Sequence, residues 1–353
     1  MNNKFSDLSN YILHDYTRCS FDSPVRENLI NFLKDNPDFE SRQSLAIEII
    51  TEIMKPHGKD ALCGNITELA RIEYGIRELD PKHRDHVVHA VLTYLLGIYI
   101  NENFFISNQF REIDPFQWKI TGLFHDIGYP LQIANRLIQP YLKQINYLKR
   151  QIDPDSDQIA ASISIIGLEK LTNEQNGLDL IQNQLDKWNL EINAKNEYDN
   201  MIESGIICHG IISSLTLLNY IDLFYQECNP ERVRRFTPDP KSGADCNQEY
   251  FEKDIVAACS AIFLHNLPKD SFSETKICLS APLPFLLKLS DILQEWERPS
   301  LENERGYPSE DFDIAIEGKK LIVTANIPED RKQKMKEEID SSLDCSEIEI
   351  EII

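Results

Sequence analysis

The chain has 353 residues, 36 of them basic against 58 acidic, for a formal charge of -22. That length allows a substantial core in one large domain, with or without an appendage. The acidic surplus argues against a sequence-independent grip on duplex nucleic acid, which needs an excess of Lys and Arg.

The eight cysteines form no C-x-x-C pair and read as reduced thiols of a cytoplasmic protein. The first residues, "MNNKFSDLSNYILHDYTRCS", lack a basic start followed by an apolar block, and no unbroken apolar run reaches about 18 residues. The expectation is an unprocessed protein that does not enter a membrane.

Taken in chain order, "SPVRENLINFLKDNPDF" opens the pattern: Ser23 can cap, Pro24 suits a first helical position, and "DNPD" ends the helix. Apolar residues at three-to-four spacing then predict helices over about 39–55, 82–101, 115–127, 130–150, 157–193, 205–226, 249–265 and 283–297. The fold class expected is mainly α. Residues 228–247 break the pattern with Pro, Gly and three arginines, Arg232, Arg234 and Arg235. They read as a cationic loop that meets an anionic substrate or simply faces solvent.

From about 307 the period changes. "DFDIAIEGKKLIVTANI" alternates Phe312, Ile314 and Ile316 before a turn at Gly318, and "SEIEIEII" alternates Ile348, Ile350 and Ile352, with a charged helix between them. The expected division is a helical domain over 1–306 and a small α+β appendage over 307–353, made of a β-hairpin, a helix and a strand. An interaction or oligomerisation role is the simplest reading of such a unit.

Only eight histidines are present, and their addresses are informative. In "KHRDHVVHAVLTYLLGIYI" the apolar residues cover most of a helix, while His83, His86 and His89 form one polar stripe at three-residue steps. "FQWKITGLFHDIGYP" ends an apolar stretch on His125 and Asp126. His209 lies in "SGIICHGIISSLTLLNYI", His265 closes "VAACSAIFLHNLP", and Asp291 is embedded in "APLPFLLKLSDILQEWERP". Unpaired, each such group would cost a few kcal/mol in a core. A shared divalent cation would bind them all, and nitrogen and oxygen donors without cysteine suit Mn, Fe, Co, Ni, Mg or Zn in an open catalytic site.

The order His89-Ala90, His125-Asp126, His209, His265, Asp291 resembles the HD superfamily of metal-dependent phosphohydrolases, over about residues 60–300. The resemblance implies a helical bundle and a metal set of His89, His125, Asp126, His209, His265 and Asp291. The two histidines between doublet and final Asp imply two metal ions bridged by Asp126. His89 is taken over His86 as first ligand because a small residue follows it.

Cyclic-nucleotide phosphodiesterases of the superfamily place a general acid one turn before that ligand. The resemblance gives this role to His86, which is three residues ahead and could instead orient a ligand or a neighbouring carboxylate. "HDIGYP" departs from the patterns of bacterial dNTP triphosphohydrolases and cyclic-di-GMP phosphodiesterases.

The activity implied is hydrolysis of a phosphoester in a nucleotide or a related phosphorylated or cyclic signalling molecule. A homo-oligomer or partner contact would run through the C-terminal unit. The alternatives are a di-iron oxygenase with the same ligand pattern and a catalytically silent nucleotide-sensing module.

Overall fold

Helices begin where a short polar side chain can accept from exposed backbone N–H groups. Asp85 accepts from Val88 N at 2.7 Å and starts one helix. Asp114 accepts from Phe116 N and Gln117 N, with Pro115 following it, and starts another. The computed structural model describes residues 23–34, 39–77, 84–153, 165–172, 175–227, 251–298, 307 and 311–353. His83 and the arginine-bearing loop 228–247 lie outside them.

The helices in order are α1 (Ser23–Lys34), α2 (Phe39–Met54), α3 (Cys63–Arg77), α4 (His86–Ile100), α5 (Pro115–Phe124), α6 (Tyr129–Ile152), α7 (Gly177–Lys187), α8 (Ala194–Ser204), α9 (His209–Glu227), α10 (Val256–His265) and α11 (Pro282–Leu293). Every residue of α4 is buried, as is every residue of α10. These two apolar rods form the centre of the body: α4 packs on α2, α5 and α11, and α10 packs on α5, α7, α9 and α11. Burying a rod on all sides leaves its polar residues no exit to water, so whatever they carry must be answered inside.

Two expectations need correction. The predicted helix over 157–193 is not one element. A turn spans Ile166–Glu169, Asn176 caps the eleven-residue α7, and the chain reverses after Trp188, with Asn189 in the left-handed region at φ 56°. Asn193 then caps α8, an unpredicted helix. Polar capping residues thus cut a stretch whose apolar spacing reads as continuous. The helix predicted over 283–297 ends at Leu293, and residues 294–298 form a non-helical strap.

The C-terminal unit matches expectation. Strand β1 (Phe312–Glu317) pairs antiparallel with β2 (Lys320–Ala325) around Gly318, whose φ of 61° suits the turn. Helix α12 (Glu329–Ser342) crosses over to β3 (Glu349–Ile352), which pairs parallel with β2. The unit packs on the helical body: Trp296 meets Phe312 at 5.2 Å between ring centroids, Tyr99 Oη donates to Ile314 O, and Ile277 bridges Leu343. Among the described residues no single helix is long and apolar enough to cross a membrane.

Candidate metal centre

Five elements deliver the polar residues to one point. His89 comes from the first turn of α4, His125 and Asp126 from the turn after α5, His209 from the first residue of α9, His265 from the last residue of α10, and Asp291 from α11. Two groups that could each hold a metal ion share Asp126: His89, His125 and Asp126 on one side, and Asp126, His209 and His265 on the other. Asp126 Oδ2 lies 3.4 Å from His125 Nε2 and 3.8 Å from His89 Nε2. Its Oδ1 lies 3.1 Å from His209 Nε2 and 3.5 Å from His265 Nε2. Asp291 Oδ1 stands 2.8 Å from His89 Nε2 and 3.9 Å from His125 Nε2, so all six predicted ligands meet.

The outer edges of the rings show how they are aimed. Each Nδ1 faces a carbonyl oxygen: Gly122 O at 3.0 Å for His125, Ile262 O at 2.6 Å for His265, Gln132 Oε1 at 2.6 Å for His209, and Gln294 Oε1 for His89. An imidazole that donates through Nδ1 presents the lone pair of Nε2 on its inner edge, the tautomer a metal ligand needs. Two consequences follow. The Nε2 atoms of His209 and His265 face each other at 3.0 Å, and His125 Nε2 is buried with no hydrogen-bond partner. An orphan of that kind costs about 1–3 kcal/mol, and a cation answers both features.

Charge points the same way. Burial pushes His125 down to about 4 and also lowers His209, so both rings are kept neutral. Burial opposes ionisation of Asp126, but the surrounding imidazoles, His125 first, outweigh it and hold the carboxyl well below the usual range; His89 does the same for Asp291. An ionised Asp126 facing the neutral His125 and His209 rings leaves a deficit of positive charge at the centre. Because His125 is neutral in the fold and takes up a proton when released, its contribution to stability is complete above 6.5 and fades as pH falls towards 4. Thermal melts of chelator-treated protein are expected to show Tm falling across that window.

Two glycines let the elements approach this closely. A Cβ at Gly128 would stand 2.6 Å from both His209 O and Ser213 N, where the doublet turn meets the start of α9. A Cβ at Gly210 would stand 3.0 Å from Ile262 O and from the His265 ring. Gly128 and Gly210 are therefore spacers between the elements that carry the His/Asp cluster.

Several participants escape a reading of the sequence. Gln132 and Gln294 hold the His209 and His89 rings, and Lys288 Nζ, buried one turn before Asp291, donates to His265 O at 2.6 Å. Glu73, buried in α3, accepts at one oxygen from the backbone N of His86 at 2.8 Å and faces His86 Nδ1 at 2.5 Å. Burial pushes the Glu73 carboxyl up to about 8, so it can hold a proton near neutrality beside the His86 ring. His86 lies outside the ligand cluster, its ring 6.4 Å from that of His89 and stacked on Tyr129 at 3.6 Å. Tyr129 in turn meets the His209 ring edge-on. The only hint of these partners was polar type within apolar surroundings, most visible at Gln294.

Compared with known proteins, the chain matches no family model, no curated protein and no solved structure. The chemistry has to be argued from the site itself.

Proposed function

We propose that the protein is a metal-dependent phosphohydrolase that cleaves a phosphoester of a nucleotide or a related phosphorylated or cyclic signalling molecule. The observation that carries the reading is the pair of His/Asp groups sharing Asp126, with each inner nitrogen freed by an outer hydrogen bond. The order of these residues is also that of the HD superfamily pattern. His89, His125, Asp126 and Asp291 would hold one divalent cation, and Asp126, His209 and His265 a second. Bound there, such cations lower the pKa of a water towards neutrality and offset charge on phosphoryl oxygens.

The chain's own residues do the rest. Asp126 sits between the two groups and fixes their separation. Asp291, with 26% of its side chain exposed against 6% for Asp126, marks the open side from which a substrate arrives. His86, backed by Glu73, stands beside the ligands with a proton to give and protonates the leaving oxygen. Tyr129 covers a face of its ring.

His86→Gln is expected to lower turnover about 10²- to 10⁴-fold while leaving metal content unchanged. Glu73→Gln should act in the same direction and more weakly; both are read by pairing elemental analysis with kinetics. The deciding experiment for the function takes purified protein through elemental analysis and then a panel of nucleotides, cyclic dinucleotides and model phosphodiesters with each divalent metal added. Phosphoester cleavage that requires metal supports the reading. Bound iron with oxygen uptake and no cleavage would replace it with an oxygenase.

A further inference from the structure

The strap 294–298 runs from the end of α11 across the start of α4, and each of its residues is tied to another element of the fold. Gln294, fully buried, accepts from His89 Nδ1 through Oε1 and donates through Nε2 to Trp296 O at 2.5 Å. Glu295 lies between two guanidinium groups, Arg84 at 2.9 Å and Arg331 of α12. Trp296 packs on Phe312 of β1 and forms a bridge with Tyr307. Glu297 pairs with Arg42 at 2.8 Å and holds a left-handed φ of 51°, and Arg298 Nε donates to Asp85 O at 3.2 Å, beside the cap of α4.

We propose that Gln294 positions His89 for metal binding and that the C-terminal unit keeps Gln294 in place through this strap. The inference rests on the metal reading above and deepens it. Gln294 has a single geometry in which one amide meets both His89 and Trp296 O, and that geometry depends on where Trp296 lies. Trp296 is set by Phe312, and its neighbour Glu295 by Arg331, so two elements of the C-terminal unit fix the backbone on which the amide sits. His125, His209 and His265 take their outer bonds from the helical body alone, through Gly122, Gln132 and Ile262. His89 is thus the ligand whose aim depends on the C-terminal unit, which makes that unit part of the metal site's scaffold.

The test is titration of the metal-free full-length protein with Mn²⁺ by calorimetry, with stoichiometry checked by elemental analysis. Gln294→Leu is expected to weaken one of two equivalents about 10- to 100-fold, the usual effect of losing a ligand's outer partner. The equivalent held by His209 and His265 should keep its affinity. Gln294→Glu, which still offers His89 an acceptor, should restore most of the loss. Arg331→Ala should weaken the same equivalent to a lesser degree, with rescue by Arg331→Lys. Its side chain is 33% exposed and Glu295 keeps Arg84, so this variant carries the test even where Gln294→Leu fails to fold.

Unchanged binding of both equivalents by Gln294→Leu overturns the positioning role. Weakened Gln294→Leu beside wild-type binding in Arg331→Ala overturns the part assigned to the C-terminal unit. A wild-type protein that binds no divalent metal overturns the metal reading and this inference with it.

Discussion

Asp126→Ala is expected to abolish both metal content and turnover, because Asp126 belongs to each of the two groups that could hold an ion. Loss of turnover should exceed about 10³-fold, the equivalent of several kcal/mol of metal-derived stabilisation. Its cost to stability should be larger with metal than without it. In chelator the imidazoles around Asp126 favour its ionised form in the fold, so removing it forfeits that stabilisation and the variant should melt below wild type near neutral pH. With metal at about 100 times its Kd the wild type should gain about 2.7 kcal/mol that the variant does not. Elemental analysis and paired melts with and without metal measure both halves. Retention of either metal or turnover in Asp126→Ala would sink the proposed function.

Gly128→Ala is expected to destabilise the fold by about 1–3 kcal/mol or more, the range for forcing a methyl into a packed site. The atoms in its way are backbone, His209 O and Ser213 N at 2.6 Å, and they cannot swing aside as a side chain tip would. Gly128 N also donates to Ser213 Oγ at 2.8 Å, so the shift strains that bond as well. Moving the doublet turn off α9 separates Asp126 from His209, and metal affinity should fall together with stability. Gly75 in α3 is the control: a Cβ there meets nothing within 4 Å. Gly75→Ala should be neutral or stabilising by about 0.5–1 kcal/mol. Urea midpoints of the two variants, taken with unchanged slopes, distinguish packing loss from a change in the unfolded chain.

The residues of the His/Asp cluster were legible in the sequence because burial makes polar residues conspicuous. His89 amid Val87, Val88, Val91 and Leu92, or Asp291 amid Leu287, Leu289, Ile292 and Leu293, would be very costly to bury without a partner. The C-terminal strands were legible because their two-residue alternation contrasts with everything before it. Glu73 and Gln132 were not, since each lies on a partly exposed helix where an acid or amide is ordinary, and only the approach of α4 or α9 turns it inward. The split of the predicted helix over 157–193 was hidden for a related reason. Asn176 and Asn193 act as caps by hydrogen bonding the next turn, and apolar spacing carries no record of that.

The strap has a consequence for how the protein is made. His89 is separated from Asp291 by 202 positions and from Gln294 by 205. On a ribosome, His125 and Asp126 emerge long before the residues that complete and aim the first ligand, and contacts of such sequence separation form late. A nascent chain halted before α11 would carry five of the six donors, lacking Asp291 and the Gln294 amide that aims His89. On the proposed metal reading, the group around His89 would gain its last donor and its outer bond only once α11 and the strap have been made, after the group of Asp126, His209 and His265.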